Sequence, residues 1–163
     1  MKIIAVTALL ALLIIQCAPS DPETSVGKEG WLSGTSDQKF ETITTHIGGF
    51  ARAMTEVSYR YNQLYWAGED ENWDYAAYQL EEMEEALQDG FQRRPLRAAS
   101  GEHFMEVVMP EMENAISSRD KSNFDNAFEL FTAQCNNCHA LEEVSFIQVN
   151  KPINRNSNIG LIQ

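Results

Sequence analysis

Cysteine is scarce in this chain. Cys17, Cys135 and Cys138 are the only three in 163 residues, too few for a disulfide scaffold. Basic side chains are also few: 12 Lys and Arg stand against 24 Asp and Glu, for a net charge of -12 and a pI near 4.6. A surface of that sign repels phosphate backbones, which argues against a nucleic-acid partner and suits a basic protein partner. No segment alternates apolar and polar residues as a half-buried strand does, so no sheet is expected. Nor is any nucleophile paired with a base. The runs Glu81-Glu82 and Glu84-Glu85 read as a solvated helix face, so no enzymatic activity is expected. What remains is 44% hydrophobic residues in a chain of single-domain length, enough for one core.

Apolar runs of membrane-spanning length are missing too. The stretch Ile3 to Ile15 follows Lys2 and is almost unbroken, but thirteen residues are too short to cross a bilayer. It reads as an export signal, which directs the chain to the periplasm. Leu13-Ile14-Ile15-Gln16-Cys17 resembles the lipobox of bacterial lipoproteins, although Gln16 stands where that pattern prefers a small residue. The resemblance implies lipidation of Cys17, the one membrane contact expected. Residues 18–36 are rich in Pro, Ser, Gly and Thr and read as a flexible tether. The expected organisation is a signal peptide over 1–17, a tether over 18–36 and a helical domain with a C-terminal tail over 37–163.

Four segments carry helical periodicity. Phe40, Ile43, Ile47, Phe50, Met54, Val57, Tyr61 and Leu64 repeat three-four-three-four up to Ala67-Gly68. Gly48 and Gly49 fall inside this segment and read as a bend or as a close contact between two copies of the helix in a homodimer. A second segment opens across Glu69 to Asn72 and carries Trp73, Ala76, Leu80, Met83, Leu87 and Phe91. The third, from about Gly101 to Ser118, aligns Met105, Val108, Met112 and Ala115, with Pro110 expected to kink it. The fourth has a capping-box variant, Ser122 with Asp125, and a stripe of Phe124, Phe128, Phe131, Cys135 and Cys138. Short connections between four such segments predict an all-α, up-down-up-down four-helix bundle.

The cluster Cys135-Asn136-Asn137-Cys138-His139 puts two thiols and an imidazole at i, i+3 and i+4, on one helix face. A structural zinc needs four ligands, and only His46, His103 and carboxylates are on offer. A redox dithiol of this spacing expects a strand and a parallel sheet around it. Attachment of one covalent haem c needs only these residues: two thioethers from Cys135 and Cys138, and His139 as the proximal iron ligand. Asn136 and Asn137 act as spacers in this reading.

Counting the helical rise from the loops puts residues ~49, ~89 and ~102 level with His139. Ile43, Ile47, Phe50, Leu87, Phe91 and Phe104 are the expected pocket lining, with Met54 within reach. The loop Arg93-Arg94-Pro95-Leu96-Arg97 falls at the same end, either to pair with haem propionates or as a solvated turn. The second axial position decides the chemistry. Met54 is the first candidate for it, with core filler as the competing role. His46 flanks the stripe and His103 begins the third helix. A Met or His ligand makes an electron-transfer cytochrome with a redox protein as partner. An apolar wall makes a five-coordinate protein that binds or senses small gases such as NO or CO.

CxxCH on the last helix of a four-helix bundle resembles the cytochrome c prime class. A set of motifs is similar to a family of small exported bacterial c-type haem proteins with a C-terminal CNxCH: Met54, Leu64-Tyr65-Trp66-Ala67-Gly68, Asn72-Trp73, Ala77-Tyr78, the cluster at 135–139, and a tail with Phe146-Ile147-Gln148-Val149 and Pro152. The likeness spans about residues 50–160 and implies a covalent haem in a bundle. It does not specify an activity. Cytochrome c prime proteins commonly carry a basic residue one turn after the haem histidine. Glu142 and Glu143 stand there in this chain.

Overall fold

A computed structural model describes residues 21–155; the expected export signal and Cys17 lie outside them. The protein is all-α apart from one short hairpin, as the periodicity predicts. It forms two compact units, Met1–Ile47 and Gly48–Gln163.

In the first unit, β1 (Thr24–Val26) pairs antiparallel with β2 (Leu32–Gly34), Thr24 opposite Gly34 and Val26 opposite Leu32. Helix α1 (Ser36–Ile47) follows. A reciprocal cap starts it: Gln38 accepts from the Thr35 N–H at 2.8 Å, and the Thr35 hydroxyl accepts from the Gln38 N–H at 3.4 Å. Residues 24–34, expected as part of a flexible tether, are therefore a hairpin. Gly27 and Gly30, at φ 80 and 67, supply the left-handed backbone its turn requires.

The second unit holds α2 (Phe50–Glu69), α3 (Trp73–Arg93), α4 (Ala98–His103), a π-helical stretch at Phe104–Val108, α5 (Met109–Ser117) and α6 (Lys121–Leu141). The single helix expected from Phe40 to Gly68 is divided. Gly48 takes φ 81 and Gly49 is extended, so the helical backbone is interrupted at this pair. The π-helical stretch ends two residues before Pro110. Proline has no N–H for the carbonyl one turn back, and the hydrogen-bond ladder slips by a residue there. At the start of α6 the cap is Asp120, whose carboxylate accepts from the Asn123 N–H at 2.8 Å, rather than Ser122.

Contacts fix how α2, α3 and α6 align. Gly68 lies against the Phe124 ring, where a Cβ would collide, and Tyr61 OH meets Thr132 Oγ1 at 2.8 Å, so α2 and α6 run in opposite directions. Arg60 reaches Glu82 at 2.8 Å while Phe50 packs on Phe91 at 5.1 Å, so α2 and α3 are antiparallel too. The core centres on Phe124, Phe128 and Phe131 of α6 with Leu64, Met83 and Met112, all essentially sealed from solvent. Each such side chain contributes about 2 kcal/mol by burial.

Candidate functional site

α6 carries the cluster in its last two turns, which is why spacing alone puts Cys135, Cys138 and His139 on one face. Both thiols are free. Cys135 packs against the core, and burial pushes its thiol up to about 12. Cys138 is also raised by burial, offset in part by the hydroxyl of Ser100 from α4. His139 is half-buried, with Nδ1 2.8 Å from the carbonyl oxygen of Ile147. A carbonyl only accepts, so Nδ1 carries the proton and Nε2 keeps its lone pair. Such a partner fixes the ring and strengthens its basicity toward a metal.

The tail supplies that carbonyl. After α6 the chain reverses through Glu143 at φ 59, and the Val144 N–H donates to the His139 carbonyl at 2.8 Å. It then returns along α6. Asn136 bonds both backbone groups of Val149, Lys151 meets Glu129 at 3.1 Å, and Arg155 takes Asp70 with two bonds of 2.6 Å. Asn136 is thus more than a spacer. Asn137 bonds only Gln134 on the exposed side.

Continuing the α2–α6 alignment one for one from Tyr61 and Thr132 brings Met54 level with His139. Met54 is half-buried against the core. Phe50 and Phe91 pack with tilted rings at this end, Phe91 lies directly on Gly101, and Leu87 and Phe104 are buried. Ile43, Ile47 and His46 belong to the first unit, where His46 meets Trp31 edge-on at 5.2 Å. His103 is exposed.

The basic loop divides in its roles. Arg97 pairs with Glu142, which Ser100 also bonds, and its guanidinium lies 5.7 Å from the Phe50 ring centre. Arg94 donates to the Arg93 carbonyl at 2.7 Å. The Nε of Arg93 is buried with no hydrogen-bond partner among the described residues.

Comparison with protein-family models, with curated proteins and with solved structures returns no match.

The donor set suits a covalent haem and suits zinc poorly. Among the described residues no three His, Cys, Asp or Glu side chains gather as a metal site. One imidazole with two thiols leaves zinc short of ligands. The same three groups are complete for haem c, and the orphaned N–H of Arg93 is of the kind a propionate carboxylate satisfies.

Proposed function

We propose that this chain is an exported c-type cytochrome carrying one covalent haem, in an up-down-up-down four-helix bundle of the cytochrome c prime kind formed by α2, α3, the α4–α5 segment and α6. Cys135 and Cys138 hold the haem by thioether bonds, and His139 is the proximal ligand through Nε2. The observation that carries the reading is the bond from His139 Nδ1 to the Ile147 carbonyl, made on the same face as two free thiols. It leaves a half-buried imidazole with one fixed tautomer and a free lone pair, which a surface histidine has no need of.

The haem supplies a one-electron redox couple when bound. The chain's own part is to hold and tune it. Phe50, Leu87, Phe91 and Phe104 give the apolar wall, and Arg93 stands ready for a carboxylate. Met54, level with His139 on α2, is the sixth ligand in this reading, which makes the function electron transfer with a basic protein partner. Export places the protein in the periplasm, lipid-anchored through Cys17.

An optical spectrum of protein made alongside a haem-maturation system, oxidised and reduced, with and without CO, tests this. A Soret band, a low-spin spectrum and little response to CO are expected, with Met54→Ala shifting the iron to high spin. Ready CO binding by the parent would favour the gas-binding reading instead. An unchanged spectrum in Met54→Ala removes Met54 as ligand.

A further inference from the structure

We infer that Asn136 is a positioning residue for His139: its amide holds the tail so that the Ile147 carbonyl takes the imidazole N–H. This rests on the haem reading above and adds to it a residue that tunes the iron.

The side chain of Asn136 makes a closed set of bonds. Its Nδ2 donates to the Val149 carbonyl at 2.9 Å and to the Thr132 carbonyl at 3.2 Å, while its Oδ1 accepts from the Val149 N–H at 2.7 Å. Two carbonyls on one side and an N–H on the other leave a single orientation for the amide. Both backbone groups of Val149 are satisfied by this one side chain, and Val149 packs on the core. Aspartate keeps the acceptor and loses the donors, leucine loses both, and glutamine moves them by one methylene. An asparagine at the second position of the cluster therefore has a specific task.

Ile147 lies between two anchors: the helix-ending turn, where its own N–H donates to the Val144 carbonyl at 2.8 Å, and the clamp at Val149. Its own side chain is 50% exposed, so its packing does little to aim its carbonyl. The other anchors of the tail, at Lys151 and Arg155, are farther along the chain and involve exposed groups. The turn fixes the N–H side of Ile147, and the Asn136 clamp two residues on fixes the side that carries its carbonyl, so orientation of that carbonyl toward His139 depends on Asn136 as well as on the turn. That carbonyl bond makes the imidazole a stronger donor, and stronger donation favours oxidised over reduced iron.

The test compares Asn136→Leu and Asn136→Ala with Arg155→Ala, which frees the far end of the tail only. In the haem-loaded proteins, both Asn136 variants should lose amide-exchange protection at Val149. At a fixed ambient potential their ratio of oxidised to reduced protein should fall about tenfold, or about 59 mV for one electron. Arg155→Ala should keep the parent ratio. A ratio within twofold of the parent in both Asn136 variants overturns the inference and leaves the haem reading standing. An equal shift in Arg155→Ala also overturns it, because general loosening would then be the cause. A parent protein without a Soret band defeats the haem reading, and the inference falls with it.

Discussion

The two ends of the helical unit are built differently. Where α2 gives way to α3, Leu64, Ala67, Trp73, Ala76, Met112, Ile116 and Phe124 are all buried, and Asn72 and Asp120 cap the helices that start there. At the other end the stripe continues in register, yet Phe50, Met54, Phe91, Cys135 and Cys138 are only half-buried. Leu96 and Leu141 there are exposed, and Arg93 holds a buried N–H with no partner among the described residues. One end is closed by side chains alone. The other collects thiols, an oriented imidazole and a buried guanidinium N–H, the groups that the proposed haem would engage. Burial is concentrated at the first end, and the proposed chemistry falls at the second.

The largest effect expected is all or none. Replacing Cys135 and Cys138 together with serine should abolish haem that survives denaturation, while far-UV circular dichroism stays helical. Next, Phe128→Ala at the closed end should cost about 3–5 kcal/mol in denaturant unfolding, since its ring is 1% exposed and packs against Tyr61 at 4.9 Å. Phe50→Ala in the haem-free protein should cost about 1–2 kcal/mol because the ring starts half-exposed. Equal costs would break the contrast between the ends.

Alkaline pH sharpens the contrast. Burial raises Cys135 to about 12 and Tyr61 to about 12, above the unfolded values near 9 and 10. An acid raised in the folded state stabilises it below the unfolded pKa, and that stability is lost as pH climbs through the folded value. Haem-free protein should therefore weaken progressively between about pH 9 and 12. A haem-loaded protein, whose Cys135 is a thioether, should keep only the Tyr61 part, beginning nearer pH 10. Identical profiles would contradict the assignment of Cys135. The smallest effect is expected from Lys151→Ala, which removes an exposed ion pair with Glu129 and should change stability by less than about 1 kcal/mol.

Much of the second unit was legible from periodicity. The segment opening before Trp73 begins as a helix at Trp73, with Asn72 as its cap, and the stripe of Phe124, Phe128 and Phe131 is the core it looked like. Hydrophobic spacing reports a buried face directly, so these residues could be read without coordinates. The same spacing marked Phe40 to Ile47 as helical but not where that helix ends, because a three-four repeat continues across Gly48 while the backbone turns through φ 81. Thr35-Ser36-Asp37-Gln38 carried a readable capping signature inside what looked like a tether. The role of Asn136 had no local signal. Its partner is 13 residues away in an aperiodic tail, and a side chain bonding backbone leaves no pattern in the partner's sequence.

Mass measurement of the denatured protein, produced alongside a haem-maturation system, is the most direct test of the central claim. A covalent haem c predicts the polypeptide plus one haem group, and loss of that added mass when Cys135 and Cys138 are replaced by serine. A bare polypeptide mass from the parent chain, with no Soret band before denaturation, would contradict it.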